Sequence, residues 1–432
     1  MQTHFTADQL ADPHTADLEK ILRSCVHCGF CTATCPTYVV GRDERDSPRG
    51  RIYLIKELLE TGRAPDAHDV EPLDHCLSCH SCMTTCPSGV DYRRLIDHAR
   101  IEVETRYTRD PADRLLRALL VRLLPYPARF RLSIAFAWLG RPLLPVLKRL
   151  PVVGERLEAM LRLSPARLPA RVATQREFKA KTPAACRRRV ALLTGCAQGV
   201  LAPEINAAAI RVLNRAGVDV VLPKGEGCCG TLAHHMGYEE RALALARADI
   251  DAWSAEIDGD GLDAIVITAS GCGATIKDYG AMFAHDPANA GKAARVASLA
   301  KDVSEYLLDL DLAFSAKRGA TVAYHPACSL QHGQKILDAP KSLLRRAGYE
   351  VRTPAEAHLC CGSAGVYNIL QPRIAGELRD RKVRNLARLK ADVIATGNIG
   401  CMTQIGLKSA TPVVHLVELL DWAQGGPSPL RG

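Results

Sequence analysis

Three things are missing from this chain of 432 residues, and each closes off a class of function. No G-x-G-x-x-G opens a strand-helix unit, so no flavin or nicotinamide is expected on this polypeptide. No uncharged apolar run approaches the roughly 18 residues that a bilayer-crossing helix needs, so no transmembrane helix is expected. No leader with an apolar core precedes the first cysteines, so no signal peptide is expected, the compartment is taken as reducing and cytoplasmic, and disulfides are disfavoured. The apolar content of 47% is ample for sizeable cores. The length suggests about three domains.

What the chain has in plenty is cysteine, 17 in all, with eight of them in two runs. Cys25, Cys28, Cys31 and Cys35, then Cys76, Cys79, Cys82 and Cys86, share the spacing C-x2-C-x2-C-x3-C, and each run ends on a proline, Pro36 or Pro87. This is the run of bacterial two-cluster ferredoxins, in which the fourth cysteine of each run ligates the other run's cluster. One [4Fe-4S] cluster would take Cys25, Cys28, Cys31 and Cys86, and a second would take Cys76, Cys79, Cys82 and Cys35. That crossing makes the two segments one folding unit. Soft sulfur ligands select iron-sulfur or zinc over hard cations. Structural zinc usually uses paired C-x2-C units separated by a longer loop, so zinc is the weaker alternative. His27, His75 and His80 lie among these cysteines, yet each run already supplies four sulfurs, so all three are taken as surface or supporting residues.

The net charge of +9 is unevenly spread. Residues 111–190 hold 18 Lys plus Arg against 4 Asp plus Glu, a net of +14 that leaves about −5 for the rest. Within it, leucine-rich stretches alternate with arginines and are interrupted by Pro125, Pro127, Pro142, Pro145 and Pro151. Short basic amphipathic helices of this kind can lie on an anionic membrane surface or dock on another subunit. The plainer alternative is a helical linker whose leucines pack on its own domains. A basic segment without a recognition motif gives no reason to expect nucleic acid.

From about residue 186 the chain repeats itself. Cys196 to Cys228 and Cys328 to Cys360 both span 32 residues, and the Cys228-Cys229-Gly230 and Cys360-Cys361-Gly362 triplets are offset by 132. Cys272 and Cys401 close the two copies. Such self-similarity points to duplicated domains. Each copy alternates strand and helix, which implies a parallel α/β sheet. The cysteines fall just after strands, at the edge where ligands of open α/β sheets collect. Cys196, Cys228, Cys229 and Cys272, and equally Cys328, Cys360, Cys361 and Cys401, are therefore candidate additional metal or redox sites. His325, before Pro326 and Cys328, decides little alone, and Cys186 is taken as a small buried hydrophobe.

This arrangement, two ferredoxin runs followed by two C-C-G repeats, resembles the glycolate oxidase iron-sulfur subunits, relatives of the iron-sulfur subunit of anaerobic glycerol-3-phosphate dehydrogenase. The resemblance spans nearly the whole chain. It also rests on DSPRGRIYLIKELLE at 46–60, a helix linking the two runs, CPSGVDY at 86–92, YHPACSLQHGQK at 324–335, HLCCGSAGVYN at 358–368 and IATGNIGC at 394–401. It implies a multidomain α+β and α/β protein: a helical two-cluster ferredoxin-type domain over 1–110, a basic helical linker over 111–187, and C-C-G repeats over 188–318 and 319–425. It implies an oxidoreductase subunit in a hetero-oligomer that accepts electrons from FAD-containing subunits oxidising glycolate to glyoxylate. Those electrons would pass toward membrane quinone, with the chain peripheral on the cytoplasmic face of the inner membrane. The C-C-G repeats also resemble those of heterodisulfide reductase subunits. Here the usual closing C-x2-C is degraded, with Thr275 and Gln404 where a fifth cysteine would stand, so each copy offers four thiols. The alternatives are the iron-sulfur subunit of another 2-hydroxy acid or glycerol-3-phosphate dehydrogenase, and a thiol or quinone reductase using the C-C-G cysteines.

Overall fold

Short apolar runs dictate the second half of the molecule. The computed structural model describes residues 1–147, 149–150, 153–170, 175–180, 188–314 and 319–430, so Cys186 lies outside the described residues. Among the described residues, nine strands form two sheets. The first contains β1 (Glu177–Phe178), β2 (Arg188–Leu192), β3 (Val218–Val221), β4 (Ala264–Ile267) and β5 (Ala300–Asp302), in the order β1-β3-β2-β4-β5. The second contains β6 (Thr321–Tyr324), β7 (Glu350–Arg352), β8 (Val393–Thr396) and β9 (Val413–His415), in the order β7-β6-β8-β9. Every pairing is parallel except β1 with β3. The central strands AIVI and VIAT are buried along their whole length, as parallel strands covered on both faces must be.

One face of each sheet contributes to a shared core. Val190, Val220 and Val266 of the first sheet and Val322, Val393 and Val414 of the second pack with helices Glu204–Arg215, Ala339–Arg346 and Leu416–Ala423. Arg211 and Arg215 both reach Asp421 at 2.6 Å across this seam. The two repeats are thus one body.

The first half is helical. Helix Pro48–Thr61, with Ser47 accepting from the Gly50 N–H as its N-cap, links the two cysteine runs as its sequence suggests. Helix Tyr92–Arg106 lies on the same core, through Leu95, Ile96, Ala99 and Val103. The same helix is also an inter-domain strut: Arg94 meets Asp278 at 2.6 Å and Asp97 meets His234 at 3.0 Å, both on the first repeat.

The basic segment divides in two. Helix Pro111–Leu123 buries Leu116, Leu120 and Val121 against Met236 and Val366, and its Arg117 against Asp74 and Asp113. That part behaves as a packed linker. Beyond it, residues Pro127–Leu147 run as one helical stretch of 21 residues, only 6% buried over its most apolar window. Pro142 and Pro145 do not break it, because Pro142 sits in the first turn of a tighter helical turn, Arg141–Leu143. By length and composition this stretch is long enough to cross a membrane, contrary to the expectation from the charges that interrupt its sequence.

Candidate metal centres

Each C-x2-C-x2-C run closes on itself through residues in the left-handed region. His27 and Gly29 have φ of 53° and 83°, and Ser78 and His80, at the same two places in the second run, have 48° and 58°. A non-glycine residue is strained there, and such strain collects at functional sites. The matching turns aim three sulfurs of each run inward. The fourth cysteine of each run begins a new direction of chain, as Cys35 before helix Pro36–Gly41 and Cys86 after Ser81–Thr85. Thr34 and Thr85, the residues preceding these two cysteines, hydrogen-bond each other at 3.1 Å.

Two cavities result. The first is lined by Cys25, Cys28, Cys31, Cys82 and Cys86, with Pro87, Ile52 and Tyr92. The second is lined by Cys35, Cys76, Cys79 and Cys82, with Arg51 and Tyr92. Cys82 faces both. None of these cysteines is in a disulfide. The outer cavity reaches solvent, since Cys28 is exposed and Cys31 and Cys86 are partly so, whereas Cys35, Cys76, Cys79 and Cys82 are all buried. Burial pushes the Cys31 thiol up to about 11 and the Cys79 and Cys82 thiols well above their ordinary value. Thiols so placed release their protons readily only when a metal cation takes the proton's place on the sulfur, which fits a metal-bearing site.

The residues that shape the inner cavity carry no cysteine signature. Arg51, 1% exposed, donates to Pro72 O at 2.6 Å, to Thr37 Oγ1 at 3.0 Å and to Asp46 Oδ1 at 3.2 Å, with Cys35 Sγ at 3.8 Å. Arg100 donates to Cys76 O and Ser78 Oγ, both at 2.5 Å. Tyr92 directs its hydroxyl at Cys76 Sγ, 3.8 Å away. Two N–H-rich cations and a hydroxyl around anionic sulfur are the donors that stabilise a reduced cluster. The signal for Arg51 was present: it sits on the helix face of Pro48, Ile52 and Ile55, a charge in an apolar stripe. Of the three histidines, His75 bonds Asp46 at 3.0 Å, His80 is buried, and His27 stacks edge-on to Tyr53.

The repeats bring their cysteines together as strand topology requires. β3, β2 and β4 are neighbours, and Cys228-Cys229, Cys196 and Cys272 follow them; β7, β6 and β8 do the same for Cys360-Cys361, Cys328 and Cys401. In the first set, Cys228 hydrogen-bonds Cys196 and Cys229, and Cys229 bonds Cys272 and Thr231 Oγ1, the last at 3.0 Å. These bonds hold the Cys229 thiol below its ordinary value and push Cys228 up. In the second set, Cys328 and Cys360 sulfurs are 3.7 Å apart and those of Cys361 and Cys401 are 3.3 Å apart. Here Cys360 is lowered by its bonds to Cys328 and Cys361. Gly230 and Gly362 have φ of 80° and 89°, and a Cβ would sit 2.7 Å from Ala242 O or 2.5 Å from Ala375 O. Only glycine lets each pair approach its following helix so closely.

The second set also abuts the inner cavity, with Leu77 and Cys79 packed among Cys360, Cys361 and Cys401. His332 Nδ1 meets Thr84 Oγ1 at 2.7 Å, and Tyr367 donates to His75 O at 3.0 Å. Two of the motifs singled out in the sequence, at 324–335 and 358–368, therefore serve this junction.

Comparison with known proteins agrees with this geometry. Residues 21–90 match the 4Fe-4S dicluster domain, and residues 190–277 and 322–406 each match the cysteine-rich domain. The chain is 42% identical to the glycolate oxidase iron-sulfur subunit of Escherichia coli (strain K12), over 98% of this chain and 99% of that protein. It is 32% identical to the probable glycolate oxidase iron-sulfur subunit of Bacillus subtilis (strain 168), over 94% and 95%. Lactate utilization protein A of Geobacillus kaustophilus is 29% identical over 54% of this chain. With a dicluster domain, two cysteine-rich domains and this extent of identity, the chain belongs to the family of glycolate oxidase iron-sulfur subunits.

Proposed function

We propose that this chain is the electron-carrying subunit of a glycolate-oxidising complex, taking electrons from a flavin-bearing partner and delivering them toward membrane quinone. The observation that carries the proposal is the pair of adjoining cavities lined by cysteines of both runs, one open to solvent and one enclosed. Clusters bound there would supply one-electron storage that thiols alone lack. Cys25, Cys28, Cys31 and Cys86 would hold one, and Cys76, Cys79, Cys82 and Cys35 the other. The chain's own residues do the rest: Arg51, Arg100 and Tyr92 set the charge and hydrogen bonding of the inner site, and the packed core around Leu73, Leu95 and Ile96 excludes water. The four thiols of the second repeat are candidate ligands of a further iron-sulfur centre, supported by their contact with the inner cavity. The divisions 1–110, 111–187, 188–318 and 319–425 belong to the same proposal.

The site of membrane contact is read from helix packing. Leu132, Phe136, Leu139, Leu143, Val146 and Leu150 are all exposed and recur at steps of four and three, one apolar stripe along 132–150. Arg122, Arg129 and Arg149 are exposed beside it. Such a face would lie in the headgroup region of an anionic bilayer.

Iron and acid-labile sulfide counted in the anaerobically purified chain test the first claim, with about eight irons for two clusters and more for a third. A zinc-loaded, colourless protein would end it, as would glycolate turnover by the chain alone. Vesicle sedimentation tests the second: Phe136→Glu with Leu139→Glu should abolish binding to anionic vesicles, and raised salt should weaken it. Unchanged sedimentation would discard the membrane contact.

A further inference from the structure

The two cysteine-rich repeats have matching backbones and opposite surroundings. Gly230 lies under Ala242 O and Gly362 under Ala375 O, so Ala242 and Ala375 occupy the same structural place. Seven residues further along each helix, facing its cysteines, stand Asp249 in the first repeat and Lys382 in the second, 0% and 2% exposed. Three residues before the first cysteine of each set stand Leu193 and His325. In the first repeat Glu226 adds a second carboxyl, accepting from Thr194 N and Oγ1 at 2.8 Å, and Asp249 takes the Gly227 N–H at 2.7 Å. In the second repeat two nitrogen donors turn to sulfur, Gly362 N at 3.5 Å from Cys360 Sγ and Asn398 Nδ2 at 3.7 Å from Cys401 Sγ, where the first repeat has the Thr231 hydroxyl on Cys229.

His325 is the odd member. It is 1% exposed, and neither ring nitrogen has a hydrogen-bond partner. A histidine that merely fills a core is satisfied, as His415 is, with Nε2 on Thr268 O at 2.8 Å and Nδ1 accepting from Val417 N at 3.2 Å. An orphaned buried imidazole is costly unless something absent from the chain completes it. Among the described residues, the one group of three potential donors whose ligand atoms all lie within 4.8 Å of one another is His325, Cys361 and Cys401.

We propose that the two repeats are functionally unequal: only the second holds an iron-sulfur centre, on Cys328, Cys360, Cys361 and Cys401, with His325 as a nitrogen donor in place of the missing fifth cysteine. This rests on the reading that the second repeat's thiols are ligands. Sulfur-ligated iron carries net negative charge, which the buried Lys382 amine accommodates, whereas the corresponding place in the first repeat holds the carboxyls of Asp249 and Glu226 instead. The first repeat keeps its four cysteines as thiols. Imidazole in place of a thiolate also removes one negative charge, a change that raises the potential of an iron-sulfur centre.

The full-length chain enriched in iron-57 provides the test, read by iron count and Mössbauer spectra, which register every iron whatever its spin. Cys360→Ser with Cys361→Ser should remove about one third of the iron, and Cys228→Ser with Cys229→Ser should remove none. His325→Leu should eliminate a spectral component of higher isomer shift than the all-sulfur sites. His325→Cys should keep the iron while losing that component, and it answers the same question if the leucine variant is recovered without iron. Iron lost with Cys228 and Cys229 would overturn the inequality of the repeats. A spectrum unchanged by both His325 substitutions, with iron still lost at Cys360 and Cys361, would overturn the histidine donor alone. No iron lost at Cys360 and Cys361 would overturn the third centre and the ligand reading beneath it.

Discussion

The two cavities of the dicluster half are built on identical cysteine spacing and end in different environments. The outer one opens at Cys28, between the exposed side chains of Val26 and Phe30. The inner one is closed by Arg51, Arg100 and Tyr92 and roofed by the second repeat at Tyr367. Ligand spacing therefore sets what kind of centre is held, while residues far away in sequence set how it is buried, charged and reached. Both burial and hydrogen bonding to sulfur tune potential, so the two sites are poised to differ. The outer edge surrounds the exposed Cys28 with the apolar side chains of Val26 and Phe30.

The largest way to break this comparison is to remove the cysteine that the cavities share. Cys82→Ser should lose both centres of the dicluster half and most of its eight irons, the inner because Cys82 is one of its four proposed ligands and the outer because Cys82 also lines that cavity and the core packs around it. Cys28→Ser should lose only the outer centre, half of the iron held by the dicluster half, since Cys28 lines that cavity alone and contributes little packing. Iron analysis of the two variants side by side decides it. Equal losses would mean that the sites do not fill independently.

Next in size is Arg51→Ala. A buried guanidinium would be deleted, leaving Asp46 with His75 alone and Thr37 and Pro72 O without their donor, at about 3–5 kcal/mol by the usual effect of breaking a buried pair. Denaturant midpoints measure the loss. Redox titration should also show the inner centre shifted to lower potential while the outer one stays in place, because Arg51 approaches Cys35 and not the outer set.

Much of this was legible beforehand, for physical reasons. The C-x2-C-x2-C-x3-C-P runs constrain the chain so tightly that their cysteines converge on two adjoining cavities, and apolar four-residue strands such as AIVI can do little but lie in a covered sheet. The 132-residue offset revealed the duplication. Arg100 and Lys382 carry no such signal, since a single charge on a helix reads as solvent-facing until the opposing elements are known. His325 is uninformative in sequence, because its meaning depends on the absence of a partner in three dimensions. The two-residue strand β1 and its antiparallel pairing arise from tertiary contact with β3, beyond the reach of local pattern.

Gly362→Ala sharpens the same contrast from the second repeat. At φ of 89° and with Ala375 O 2.5 Å from the new Cβ, the Cys360-Cys361 turn must shift, for a strain of about 1–3 kcal/mol. Because this turn packs beside Cys79, iron of the inner centre should become more accessible to chelator while the outer half exchanges at its original rate. Uniform acceleration of both would show that the enclosure is not local.

The smallest effect is a pH dependence carried by the strut between the halves. His234 faces Asp97 at 3.0 Å. Burial works against the imidazolium, but the Asp97 carboxylate outweighs it and raises His234 above its ordinary value, while the same pair holds Asp97 below the carboxylate range. A raised histidine contributes stability that is complete below its unfolded value of about 6.5 and lost as pH rises through the folded value, with a slope of at most about 1.4 kcal/mol per pH unit for one proton. Asp97 works the other way, losing its contribution only in strong acid. Denaturant stability should therefore decline from pH 6 to pH 9, and Asp97→Asn should flatten that decline. Arg100, three residues along the same helix, holds Cys76 O and Ser78 Oγ, so loosening the strut at high pH acts on the inner site first. Iron release to chelator at pH 9 should then speed up for the inner half alone, and a decline that persists in Asp97→Asn would assign the titration to another group.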